Sequence, residues 1–559
     1  MSHPARIFGT LHPFVESGDI LGRTVANSTF LTALIDADYF DEYHFFLANN
    51  SQIETLERFF YNNYPKLDKK RILLALRKDL PDAIIKNDYF CFHLSDSIAD
   101  TAPLCALRNA LAKNIFPVTG VTHSLSYVRY LPHFLAQLWQ GCTVRDAIIV
   151  TSTDGVKVVN NIFEQLSQHF HSQDLKRPEL KRIPLGINTK MFASPDSKEK
   201  IKDKEQARKR LNIPQNSRVA LVLGRFSHYS KMDLLPLLKA LQRAISLGLD
   251  TKNFVLILAG AKDKDDITPY QIQKFAQKLG IQTILKESPS EEEKKQLFNI
   301  ADIFISPSDN IQETFGITII EAALAGLAVL ASDYDGYKDL VQHNTTGLLI
   351  PTIGFSSTKA SDVLGGFLFD SQYHLRLSQQ TALNIPLFAE YLIKLVNNSE
   401  LCIELGRNAY KNALEKYDWN LVIKQYINYW EELNAKGISQ AERERLKNIS
   451  HPFNHNFSNV FGHYTTSQLG DELLLKRSEF GTAFYNNKDF PVIYAEIEAL
   501  VSQEFLKKLM FVARKACTVK ELRELFFEYN KIETPNILDQ ENAEFILLWC
   551  LKQDLLELV

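Results

Sequence analysis

Residues 306–347, SPSDNIQETFGITIIEAALAGLAVLASDYDGYKDLVQHNTTG, carry two carboxylates, Glu313 and Glu321, eight positions apart across the start of an apolar helix. The preceding IADIFIS reads as a buried strand closed by Pro307 and Ser308. Thr314 is positioned to cap the helix that Phe315 and Gly316 open, leaving free backbone N–H groups at its start. Such an end attracts phosphate. This reading puts Glu313 in a loop facing a ligand and Glu321 about two turns further along the helix. One carboxylate near a sugar and one near a ribose suit a nucleotide-sugar, whereas a Glu pair at this spacing taken alone is an ordinary surface pattern.

The flanking PS, TFG, EAALAG and GLLIP make the segment resemble the family-4 glycosyltransferases of the GT-B fold, which carry a Glu-x7-Glu signature in this setting. The resemblance implies that Glu313 contacts the donor sugar and Glu321 the nucleotide ribose. It also implies a metal-independent, retaining transfer in which the leaving phosphate takes the acceptor proton, so that Glu313 orients the sugar and is not a nucleophile. The loop LVLGRFSHYSKM then supplies the Arg and Lys that the family places on the donor phosphates, here Arg225 and Lys231, with a helix expected to begin near Met232. Relatives often have glycine at the position of Met232. His123, just after IFPVTGVT, corresponds to a His or polar residue that the family holds near the donor sugar. A structural histidine is the alternative.

Two departures from the family are visible. Many relatives have two residues between PS and the first Glu, and here Asp309 to Gln312 makes four. Where the family has Gly-Gly-x-x-Glu, this chain has Asp335-Gly336-Tyr337-Lys338-Asp339, so that Asp339 takes the place of the Glu and Asp335 that of a glycine. The triplets Asp36-Ala37-Asp38 and Asp333-Tyr334-Asp335 are weak metal candidates, and His451, His455 and His463 read as a surface loop. No metal and no cofactor is expected.

The rest of the chain fits around this site. Its 559 residues are too many for one domain, and 45% hydrophobic with 23% charged residues is a globular composition. A net charge of −3 gives no pull toward nucleic acid or anionic lipid. Six scattered cysteines without C-x-x-C read as reduced and mostly buried, and no signal-peptide pattern opens the chain. A cytoplasmic protein follows, with peripheral membrane contact left open.

From RIFGTL to AIIV, short β-rich runs alternate with helical patterns, and a second alternation runs from RVALVLG to GLLIP. The fold expected is α/β, with two doubly wound Rossmann-like domains facing a cleft and ligands at the carboxyl ends of the strands. Residues 1–185 form the acceptor-side domain and 186–403 the donor domain. Residues 404–436 are helices crossing back to the first domain at Tyr417-Asp418-Trp419, and 437–559 an accessory module. Gly18 and Gly22, ahead of a helix, allow backbone to approach a ligand closely, although an ordinary strand-to-helix turn reads the same way. Residues 354–380 look like an insertion.

The last module reads as a helix, a turn region, a helix and an apolar strand, similar to a winged helix. It has 18 acidic and 14 basic residues, a balance of −4. Its candidate recognition helix mixes Lys520, Arg523, Glu521, Glu524 and Glu528, which suits a protein partner better than DNA. The function expected is transfer of a sugar from a nucleotide-diphosphate sugar, UDP-hexose first, to a glycan, lipid-linked or polypeptide acceptor. A nucleotide-sugar epimerase, a phosphorylase and a non-catalytic binding protein are the alternatives.

Overall fold

The computed structural model describes residues 5–15, 22–170, 175–368 and 370–559. It divides into two compact units, Met1–Pro452 and Phe453–Val559.

The first unit is built on two parallel sheets. Strands β1 (Ile7–Thr10), β2 (Glu42–Leu47), β3 (Ile72–Leu76), β4 (Tyr89–Leu94), β5 (Val118–Val121), β6 (Asp146–Val150) and β7 (Glu179–Arg182) form the first, in the order β3-β2-β1-β4-β5-β6-β7. Strands β8 (Arg218–Leu223), β9 (Phe254–Gly260), β10 (Gln282–Glu287), β11 (Ile303–Ser306), β12 (Ala328–Ser332) and β13 (Gly347–Ile350) form the second, in the order β10-β9-β8-β11-β12-β13. Every neighbouring pair in both sheets is parallel. Helices on both faces leave the central strands no solvated side, which is why β9, FVLILAG, is apolar throughout and buried at all seven positions. Two doubly wound sheets facing a cleft are the GT-B architecture expected from the sequence. In each sheet the strand order reverses at one place, between β1 and β4 and between β8 and β11, and a crevice for ligand opens outside the carboxyl ends there.

The edge strand β7, ELKR, was not anticipated. Its two end residues are exposed and it is polar, as an edge that must not attract another chain should be.

The crossover is made at Tyr417-Asp418-Trp419. Helix Ser399–Tyr417 buries Ala409, Ala413 and Tyr417 in the core of the second half, and helix Trp419–Ala435 buries Trp419, Tyr426 and Trp430 in that of the first. Between them Asp418 caps the second helix at the Asn420 amide, 2.9 Å away, and accepts the Thr189 hydroxyl. The insertion is two short helices, Lys359–Gly365 and Asp370–Ser378, closed at its base by an antiparallel ribbon of β14 (Thr352–Ile353) and β15 (Ala382–Leu383).

The first unit continues past Gly437 to Pro452. Leu446 is fully buried, Arg445 donates to the Gln140 carbonyl at 3.1 Å, and His451 donates to the Ala136 carbonyl at 2.7 Å with its ring against Trp139.

In the second unit β16 (Leu474–Arg477) lies between β17 (Cys517–Thr518) and β18 (Leu556–Leu558), antiparallel to both. Helices Val519–Tyr529 and Ile537–Lys552 give the expected helix, turn, helix and strand, and each begins with a capping box, Thr518 with Glu521 and Asn536 with Asp539. No β-hairpin joins neighbouring strands among the described residues, so the unit is a helical module with a small sheet and does not display a winged helix's hairpin. All six cysteines are free, and among the described residues no helix is long and apolar enough to cross a membrane.

Candidate functional site

Strand β8 runs out at Leu223, and the chain turns at Gly224 beside the end of β9. Gly260 has φ +152°, and a Cβ there would lie 1.7 Å from the Gly224 carbonyl oxygen, so only glycine lets the two strand ends meet. The loop is tied down by the Gly224 amide on the Ala259 carbonyl (3.0 Å) and the Phe226 amide on that of Ala261 (2.8 Å). The Ser227 carbonyl then accepts the amides of Lys231 (2.8 Å) and Met232 (3.1 Å), which turns the chain back and delivers Lys231 inward. The helix that follows begins at Leu235, not near Met232, with Pro236 in its first turn. Met232 itself is buried, its methyl lying where a Cβ on Gly224 would need room.

After β11, Ser308, Asp309 and Asn310 are all buried. The extra loop residues therefore fold inward behind the site and do not bulge from it. Asp309 Oδ1 accepts the Asp233 amide at 3.2 Å, binding this loop to the one that carries Lys231.

Thr314 does not cap the following helix, as its sequence position suggested. Helix Ile317–Leu324 has Gly316 at its N-cap with φ +110°, and a Cβ at that position would stand 2.5 Å from the Tyr337 ring. A left-handed residue turns the chain more sharply than a threonine cap can. The amides of Gly316, Ile317 and Thr318 are thereby left without intrahelical acceptors at the cavity wall. Glu321 is five residues into this helix, so it lies nearer the helix start than the two turns expected from its spacing to Glu313.

The Glu313 carboxylate is paired with the Lys231 ammonium, accepts the Tyr337 hydroxyl at 3.3 Å, and takes the Phe315 amide at 3.4 Å. Burial pushes this carboxyl up, but Lys231 and the three hydrogen bonds outweigh it and hold Glu313 below the usual carboxylate range. Burial likewise disfavours the Lys231 cation, and Glu313 more than restores it. Glu321 is only 8% exposed. Its Oε1 lies 2.6 Å from Lys294 Nζ, and its Oε2 is buried with no partner.

On the opposite wall, His123 Nε2 donates to the Ser95 carbonyl at 2.9 Å and to Asn27 Oδ1 at 3.1 Å. This fixes the ring at the carboxyl end of β5. Gly22 opens helix Gly22–Asp36 at the same wall, where nothing would obstruct a Cβ. Gly18 lies outside the described residues.

One cavity of about 500 Å³ between the two sheets is lined by nine of the residues singled out from the sequence: Gly22, His123, Arg225, Lys231, Glu313, Thr314, Phe315, Gly316 and Glu321. Its size is that of a small-molecule site. Sequence reading missed Lys294, Glu291 and Gln312, which line it too. Lys294 hides in EEEKKQLF, which has the look of a solvated helix start. Only the capping Ser290 at its head marks where the helix begins.

Asp339 does not face the cavity. It accepts the Thr153 amide and pairs with Arg182 at 3.2 Å, both on the first half. Asp335 stands next to the site with φ +44°, its Oδ1 buried and unpartnered and its carboxyl pushed up to about 8 by burial and by Glu313. Of the other suspected acids, Asp36 accepts the Tyr64 hydroxyl at 3.0 Å and Asp38 pairs with Arg71 at 2.7 Å. Among the described residues no group of three His, Cys, Asp or Glu could hold a metal.

With this geometry in place, the chain can be set beside known proteins. Residues 203–383 match the family described as "Glycosyl transferases group 1". A D-inositol 3-phosphate glycosyltransferase of Streptomyces avermitilis is 27% identical over 248 residues, 43% of this chain and 50% of that protein. A phosphatidyl-myo-inositol mannosyltransferase of Mycobacterium tuberculosis is 24% identical over 255 residues, 46% of this chain and 54% of that one. The chain thus spans about half the length of the curated relatives it matches. A glycosyltransferase structure from Rickettsia africae superposes with a TM-score of 0.50 at 14% identity, covering 78% of this chain and 100% of that one, a likeness of fold.

Proposed function

We propose that this chain, whose residues 203–383 match the group 1 glycosyl transferases and lie within two doubly wound parallel sheets, is a retaining glycosyltransferase. It moves a hexosyl group from a nucleotide-diphosphate sugar, with UDP as the nucleotide, to a glycan, lipid-linked or polypeptide acceptor. The observation that carries this reading is the convergence of Arg225, Lys231, Glu313, Glu321 and the amides at Gly316 in one cavity between the sheets.

Each residue has a role that follows from its surroundings. Departure of a nucleoside diphosphate concentrates negative charge on the leaving oxygen. Arg225, exposed at the cavity wall, and the open amides of the helix start stabilise that charge as it develops. Lys231 is held charged against Glu313 and lies ready to share its ammonium with the phosphates. Glu313 is fixed on three sides and kept ionised, which suits a group that accepts sugar hydroxyls and orients the ring. A nucleophile would need a freer oxygen. His123, anchored through Nε2, bounds the sugar from the acceptor side.

The test is a calorimetric titration of the folded protein with UDP, ADP, GDP and dTDP and their glucose and N-acetylglucosamine conjugates. Saturable binding of one nucleotide class, lost in Arg225→Ala, supports the reading. Folded protein that binds none of them overturns it.

A further inference from the structure

Three polar atoms in the cavity wall are buried without partners, Gln312 Oε1, Glu321 Oε2 and Thr318 Oγ1, and the last two come from one helix. These two stand three positions apart on helix Ile317–Leu324 and so share one face. A buried acceptor left unpaired costs stability, so this face is built for a hydroxyl-bearing ligand that is yet to arrive. The partner of the other carboxylate oxygen is what makes Oε2 available. Lys294, from helix Glu291–Ile300, places Nζ 2.6 Å from Oε1 and is itself only 20% exposed.

We propose that Lys294 is a positioning residue: by taking Glu321 Oε1 it turns the carboxylate so that Oε2, beside Thr318 Oγ1, receives a ribose hydroxyl of the nucleotide. The inference rests on the glycosyltransferase reading above and assigns it a residue that neither the signature nor its spacing includes.

Burial pushes the Glu321 carboxyl up, and the Lys294 ammonium is what opposes this. Glu291, whose carboxylate lies 3.9 Å from Lys294, pushes it up further. The remaining charged groups on the cavity wall are Arg23, Asp96, Arg129, Arg225, Lys231 and Glu313. Removing the ammonium therefore pushes Glu321 further toward its protonated form. A neutral carboxyl is a weaker acceptor for a hydroxyl than a carboxylate.

The experiment measures UDP affinity by calorimetry from about pH 6 to about pH 9 for the wild type, K294M, K294R and E321Q. K294M is expected to bind about tenfold more weakly at neutral pH and to recover as the pH rises and Glu321 ionises. K294R should stay close to the wild type, and E321Q should be weak by the same factor at every pH. If K294M alone does not fold, the double variant K294M/E321Q leaves no unpaired charge and should bind as E321Q does. Wild-type affinity in K294M, or a loss that is equal at every pH and not rescued by arginine, overturns the assignment. A folded wild type that binds no nucleoside diphosphate is a separate result, and overturns the glycosyltransferase reading itself.

Discussion

Asp339 Oδ2 accepts the backbone amide of Thr153 at 2.6 Å, so that a residue of the second half caps the first turn of a helix belonging to the first half, Thr153–Phe170. Arg182 holds the same oxygen at 3.2 Å, and Lys338 beside it reaches Asp154 at 3.0 Å. The two halves are thus clasped by a charge-assisted cap made by residues that do not line the cavity. Asp339→Ala should release about 1–2 kcal/mol of closure energy. The expected result is a larger radius of gyration by small-angle scattering in the unliganded protein, reduced again by saturating nucleotide. An unchanged radius would refute the clasp.

Lys231 and Glu313 are buried together, with side chains 17% and 10% exposed. Removing one charge strands the other, and Lys231→Met should cost about 3 kcal/mol of stability. The double variant Lys231→Met/Glu313→Gln should recover most of that loss while sugar transfer stays absent. Melting curves and transfer assays on the three proteins separate the structural part of the pair from the functional part.

Asp309 is 2% exposed, and burial pushes its carboxyl up to about 8. In the unfolded chain an aspartate titrates near about 3.9. Between those values the folded form keeps a proton that the unfolded form has lost, so stability falls as pH rises from about 4 to about 8 and levels off above. The slope is about 1.4 kcal/mol per pH unit at most. Asp309→Asn keeps the oxygen that accepts the Asp233 amide and has no proton to lose. Its stability advantage should widen across that window, read as melting temperature against pH. Parallel curves would show that Asp309 does not titrate this way.

Gly316→Ala places a methyl against the Tyr337 ring and forces a left-handed φ on alanine. A cost of about 1–3 kcal/mol is expected. The larger effect should be on binding, because the helix amides turn away from the phosphates. Nucleotide affinity that survives in a folded variant would remove the helix start from the site.

Truncation after Pro452 should leave nucleotide binding and the melting point of the first unit intact. Truncation after Lys436 should destabilise it, since Leu446, Arg445 and His451 are lost. Transfer to the natural acceptor is expected to weaken in both. Full transfer after the Pro452 truncation would leave Phe453–Val559 without a part in acceptor handling.

The apolar runs from RVALVLG to GLLIP were enough to identify the central parallel strands, because strands covered on both faces must be apolar at nearly every position. The pairing of Glu313 with Glu321 and of Arg225 with Lys231 was readable for a related reason. Arg225, Lys231 and Glu313 lie in the loops that leave the carboxyl ends of β8 and β11, Glu321 lies on the helix that follows, and the alternation of strand and helix fixes which end that is. Local spacing carries no record of what lies opposite. It could not tell that Lys294 meets Glu321, that Asp339 turns away to cap Thr153, or that Asp309 folds inward. These contacts join residues brought together by packing of separate elements, and a polar side chain looks the same in sequence whether water or a buried partner receives it. The glycine at 316 is intermediate: its presence is plain in the chain, but its left-handed turn against Tyr337 exists because the loop after β12 comes back to the same place.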